Sequence, residues 1–155
     1  MLSASVFAYS DRSFHKSKYS QIMDTVIPMG KTRPEIRTRE KIIKDFYARW
    51  IAENPSKAVW NRSLNAFIKV KFLSINETYE HAARTYESTC AVLRLTEILE
   101  NARKVSSGPP KNNDKNQKSF SGIILMRYGH IRMVVGLQRS TGDYVQYCIT
   151  SETKK

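Results

Sequence analysis

The run GIILMRYGHIRMVVGLQRSTGDYVQYCITS, from Gly122 to Ser151, constrains this chain most. Apolar and polar residues alternate along it with a period of two, the spacing of strands half buried against a core. Two turn signals divide it. Gly129-His130 fits a two-residue turn with glycine first, which sets Tyr128 opposite Ile131, Met126 opposite Met133 and Ile124 opposite Val135. Ser140-Thr141-Gly142 fits a three-residue turn with Gly142 left-handed. A two-residue loop there would set apolar against polar all along the pair, a slip that sheets strongly disfavour. The longer turn sets Leu137 against Val145, Val135 against Tyr147 and Met133 against Ile149, and Arg139 meets Asp143. The chain is therefore expected to end in an antiparallel three-stranded meander with one apolar face.

The same register fills the second face. Arg132 falls opposite Thr150, Val134 opposite Cys148, Gly136 opposite Gln146 and Gln138 opposite Tyr144, with a shallow gap at Gly136. No carboxylate lies on this face in that reading. A guanidinium, two carboxamides, a phenol and a hydroxyl together suit a phosphate-bearing ligand. They also suit the ordinary wet face of an antiparallel sheet.

Upstream, Thr32 can cap a helix with Pro34 in its first turn. Ile36, Ile43, Phe46, Tyr47 and Trp50 form its apolar stripe, Arg37, Arg39, Lys41, Lys44 and Arg49 its solvated basic side, and Pro55 ends it near Asn54. KAVWN and AFIKVKF alternate as short strands. Lys57, Trp60, Arg62, Lys69 and Lys71 there mix cations with aromatics, as a nucleic-acid surface does. An amphipathic strand with its aromatics in the core reads equally well. Ser74 to Glu77 has the S-x-x-E pattern of a capping box. The helix it opens buries Ile75, Tyr79, Ala82, Ala83 and Tyr86 and turns His81 away from that stripe, one turn after Glu77. A second helical run is expected from Thr89 to Ala102, and KVSSGPPKNNDKNQK, residues 104–118, reads as a polar loop.

The chain has 155 residues, 41% of them apolar, enough for one modest core. The fold class expected is α+β, with N-terminal helices followed by an antiparallel sheet. Residues 1–31 read as a flexible arm with Met23 and Met29 as alternative starts, residues 32–151 as a single domain and 152–155 as a tail. A formal charge of +12 favours polyanionic partners, nucleic acid first. No stretch approaches the ~20 apolar residues of a membrane span, and Asp11, Arg12, His15 and Lys16 interrupt any signal-like centre. Cys90 and Cys148 lack metal or redox spacing and fit a reducing cytoplasm. No metal site and no cofactor are expected.

The segment EHAA (Glu80 to Ala83), followed by GHIRMVVGLQRSTGDYVQYCIT, resembles the barnase–EndoU–colicin–RelE superfold of small ribonucleases. The likeness is strongest to the domains of that superfold that accompany large polyvalent proteins of phages and conjugative elements, and it covers roughly Phe67 to Ser151. It implies RNA cleavage without a metal ion, by attack of a 2′-hydroxyl on the adjacent phosphate. It casts His81 as the acid or base, Arg132 as the cation and Thr150 as the hydroxyl, with Tyr144 and Gln146 orienting phosphate or base. Gln138 shares their face. The expected partner is therefore nucleic acid, RNA before DNA. A non-catalytic nucleic-acid-binding accessory protein is the alternative, and a protein-binding module, such as an inhibitor that mimics nucleic acid on its acidic helices, is the third class, with a protein partner or inhibitor possible.

Overall fold

The computed structural model describes residues 26–152. Most of the expected arm, and residues 153–155 of the tail, lie outside them. Among the described residues four α-helices, α1 (Arg33–Glu53), α2 (Phe72–Ala82), α3 (Tyr86–Val92) and α4 (Leu95–Asn101), pack on a six-stranded sheet. Its strands are β1 (Ala58–Asn61), β2 (Ala66–Lys69), β3 (Arg103–Gly108), β4 (Phe120–Tyr128), β5 (Ile131–Gln138) and β6 (Tyr144–Ser151), in the order β1-β2-β6-β5-β4-β3. The class is α+β, as expected. The sheet is mixed rather than antiparallel, because β2 and β6 run parallel, and two strands precede α2.

α1 starts as its cap dictates. Thr32 Oγ1 accepts from the Glu35 amide at 3.3 Å and donates to the Glu35 carboxylate at 2.7 Å. Its inner face buries Ile42, Ile43, Phe46, Tyr47 and Trp50. Arg39, expected in water, is fully buried instead. Its Nε donates to the Ala83 carbonyl at 2.8 Å, Nη1 to Pro28 at 2.6 Å and Nη2 to Arg84 at 3.4 Å. The guanidinium thus closes the carbonyl end of α2, where a cation is favoured.

Three further expectations change. α2 begins at Phe72, two residues before the proposed capping box, and Ser74 Oγ accepts from the Lys71 amide at 2.9 Å. Ser74 and Glu77 are therefore buried inside the helix. The run from Thr89 breaks at Leu93 and Arg94 into α3 and α4. Arg103–Gly108, which takes in the first five residues of the expected loop, is an edge strand, exposed along its length. An edge strand is held by backbone pairing on one side, so it needs no apolar alternation to reveal it.

The first hairpin pairs as expected, with φ +62° at Gly129. The second keeps Arg132 opposite Thr150, Met133 opposite Ile149 and Val134 opposite Cys148. There β6 carries one extra residue. Val135 then meets Gln146, Gly136 meets Val145 and Leu137 meets Tyr144. The loop spans Arg139 to Gly142, with the Gln138 amide on the Asp143 carbonyl and φ +75° at Gly142. The bulge turns Tyr144 and Gln146 toward the helices and Val145 and Tyr147 to the outer face. Phe120 fills the gap expected at Gly136: a Cβ at 136 would lie 2.6 Å from its ring. Phe120 in turn meets Tyr147 edge to face, centroids 5.7 Å apart.

Gly136→Ala is accordingly expected to destabilise the protein by about 1–3 kcal/mol, because the ring must leave its place. Urea unfolding checks this; an unchanged midpoint would mean that the ring yields freely.

Candidate functional site on the outer sheet face

β6 pairs with β2 only at Tyr144 and Val145, so its second half has an open edge. α2 and α3 cover it. Thr78 Oγ1 lies 3.5 Å from the Tyr147 carbonyl, and the Ser151 amide donates to Ser88 Oγ at 2.8 Å. This packing brings one flank of α2 to the outer face. Glu77 is only 5% exposed, and its Oε1 lies 3.5 Å from Nε2 of His81, whose side chain is 40% exposed.

Glu77 also meets the Tyr147 phenol. Burial, then the negative charges of Glu77 and Asp114, raise that phenol well above its usual pKa. The phenol donates to Asp114 Oδ2 at 3.3 Å. Cys148 lies among the same charges. Burial and Glu77 push its thiol up to about 12, while Arg132 and Arg84 pull it down. Arg132 and Thr150 are cross-strand neighbours on this face, and Arg127 stands opposite Arg132 on β4. Glu152 bridges the two guanidinium groups, 2.6 Å from Arg127 and 3.9 Å from Arg132.

Arg132 and Thr150 thus lie together on the outer face next to Cys148, whereas His81 stands on α2 beside Glu77. Three other expected site residues lie elsewhere. Gln146 is buried on the core face between Tyr47 and Thr78. Tyr144 packs half-buried against the core. The bulge moved both. Gln138 sits beside the turn, where its Oε1 accepts from Lys71 at 2.5 Å and Thr141 at 3.0 Å. The sequence placed Glu77 one turn before His81 but read it as a helix cap, and so expected no carboxylate here; its burial is the part that was missed.

The cationic and aromatic residues Lys57, Trp60, Arg62, Lys69 and Lys71 lie on the β1–β2 hairpin and its ends. Trp60 and Phe67 are exposed, so the core reading of these aromatics fails. Asp143, expected to meet Arg139, instead holds Lys69 at 3.2 Å and Lys71 at 3.1 Å. An open groove of about 570 Å³ lies apart, lined by Tyr86, Cys90, Arg94, Tyr128, His130 and Ser151 among others, and none of the expected site residues borders it.

Two measurements follow from this electrostatics. Cys148 should alkylate with iodoacetamide at least about tenfold more slowly than a free thiol at mildly alkaline pH, since little thiolate forms. Peptide mass spectrometry reads this, and a fast reaction would refute the raised pKa. Lys71, Thr141 and Lys69 lower the Asp143 carboxyl to about 2. Its stabilisation is complete above the ordinary value of 3.8 and fades as pH falls through about 2. Asp143→Asn should therefore lower the melting temperature near neutrality and converge with wild type toward about pH 2. A gap constant with pH would count against these ion pairs.

A family model for large polyvalent protein-associated domain 3 matches residues 38–126. No curated protein and no solved structure matches the chain significantly. The match begins inside α1, which the resemblance left out, and ends at Met126, before β5 and β6. It bears out the association with polyvalent proteins and says nothing of a ribonuclease superfold. Matched over more than half of its length, this chain belongs to the family of large polyvalent protein-associated domain 3.

Proposed function

We propose that this protein serves a mobile element by binding nucleic acid, RNA in preference to DNA, and that it cleaves RNA on the outer sheet face without a metal ion. The observation that carries the reading is Glu77, a buried carboxylate 3.5 Å from His81 on the helix that covers the edge of β6, the strand that sets Thr150 opposite Arg132. Phosphodiester cleavage by an internal hydroxyl requires an acid–base group and a cation.

In this reading Glu77 orients the His81 imidazole, which takes the proton from the 2′-hydroxyl. The O2′ atom bonds to the adjacent phosphorus and the bond to the 5′-oxygen breaks. That oxygen takes a proton from water, leaving a 2′,3′-cyclic phosphate and a 5′-hydroxyl. Arg132 stabilises the phosphorane charge, and the Thr150 hydroxyl donates to a non-bridging oxygen. RNA is preferred because DNA lacks the nucleophile.

One observation favours the non-catalytic alternative. Arg132 already has Glu152 within 3.9 Å, which suits a resting charge as well as a catalytic one.

The test is RNA cleavage in EDTA by wild type, His81→Ala and Arg132→Ala. Each variant is expected to lose at least about tenfold in rate. A folded wild type that binds RNA with a steep salt dependence and never cuts it would leave a binding protein only.

A further inference from the structure

The geometry points to single-stranded nucleic acid as the ligand of the β1–β2 hairpin, its bases stacked on Trp60 and Phe67. The inference rests on the reading above that the polyanionic partner is nucleic acid. It adds which form of it and where it is held.

Trp60 and Phe67 face each other across the hairpin, with ring centroids 5.1 Å apart and planes at 81°. They are 45% and 56% exposed. Their neighbours in the alternation, Val59 and Ile68, turn to the core, so the period of the strands leaves the rings no way inside. The exposed pair leaves apolar ring area in water that a partner could cover. The T-shaped arrangement leaves a ring face open.

Charge selects the occupant. Lys57 precedes β1 and Arg62 follows it, and neither makes an ion pair among the described residues. Lys69 lies on the ring side of β2, and Lys71 follows. A polyanion with flat apolar faces matches rings among cations. A duplex hides its base faces in its own stack, so only unpaired bases can cover these rings.

The rings share a sheet face with the Glu77–His81 centre, because Lys69 aligns with Val145 of β6 and alternates with Ile68. Strand rise and spacing put the pair roughly 25 Å from Arg132 and Thr150. A dinucleotide therefore reaches only the centre, whereas a longer strand reaches both.

The experiment compares the full chain with its Trp60→Ala/Phe67→Ala variant. The probes are a single-stranded oligouridylate of about 12 nucleotides, an RNA duplex of equal length, and a dinucleotide. The double variant should bind the single strand at least about tenfold more weakly, with duplex binding unchanged and the protein still cooperatively folded. Dinucleotide cleavage should stay at the wild-type rate. Equal losses for duplex and single strand, or no loss for either, would overturn the inference. So would shielding of Trp60 from acrylamide in the free protein, which would show another segment of this chain already seated there. An absence of cleavage would sink the catalytic reading and leave this one to the binding data alone.

Discussion

Tyr47, Gln146 and Thr78 form a buried hydrogen-bond chain on which the arrangement of the outer face depends. The Tyr47 hydroxyl donates to Gln146 Oε1 at 2.8 Å, and Gln146 Nε2 donates to Thr78 Oγ1 at 2.7 Å. α1, β6 and α2 are joined in three side chains. A carboxamide fully buried without partners would cost about 1–3 kcal/mol for each group left unsatisfied. Gln146 can face inward only because β6 carries its extra residue, and that residue puts Tyr147 on the other face. The phenol then meets Phe120 and the loop of residues 109–119. The bond to Thr78 fixes the rotation of α2, and Glu77 and His81 reach the outer face through it. Burial raises the pKa of Tyr47, so this phenol keeps its proton as a donor.

The charge of +12 is less available than its size suggests. Arg39 is buried on carbonyls, Lys41 pairs with Asp45, Arg94 with Glu97, Arg127 with Glu152, and Lys69 and Lys71 share Asp143. Lys44 sits 4.1 Å from the centre of the Tyr79 ring. Exposed ion pairs are weak and give way to a competing phosphate, whereas the carbonyls around Arg39 do not. Cations without an ion pair among the described residues include Lys57 and Arg62 at the ends of β1, the lysines of the long loop, and Arg37 and Arg49 on α1.

Local rules were legible where one local signal decided the outcome. Thr32, Glu35 and Pro34 start α1, Gly129 turns the first hairpin, and the alternation through Ile68 and Val70 marks a strand with a buried side. They failed where a distant partner decided. Apolar matching along the second hairpin assumes an unbroken ladder, and nothing near Tyr147 announces a bulge whose reason is Tyr47 and Thr78. Arg39 looked solvated by its helical neighbours, yet its partners are carbonyls at Pro28, Ala83 and Arg84. Arg103–Gly108 lacks any pattern because no side chain of it is buried. Of the candidate residues, Arg132 and Thr150 were legible as cross-strand neighbours, whereas the burial of Glu77 beside His81 was not, because Ser74 to Glu77 was read as a helix cap.

Tyr147 shows how that site and the long loop are coupled. A phenol has one proton to donate, and two carboxylates, Glu77 and Asp114, lie against it. It cannot serve both at once. When the proton turns to Asp114 it anchors the loop, and Glu77 then relies on its remaining partners, among them the imidazole of His81 at 3.5 Å. The Tyr147 hydroxyl is thus shared between the flank of α2 and the loop of residues 109–119.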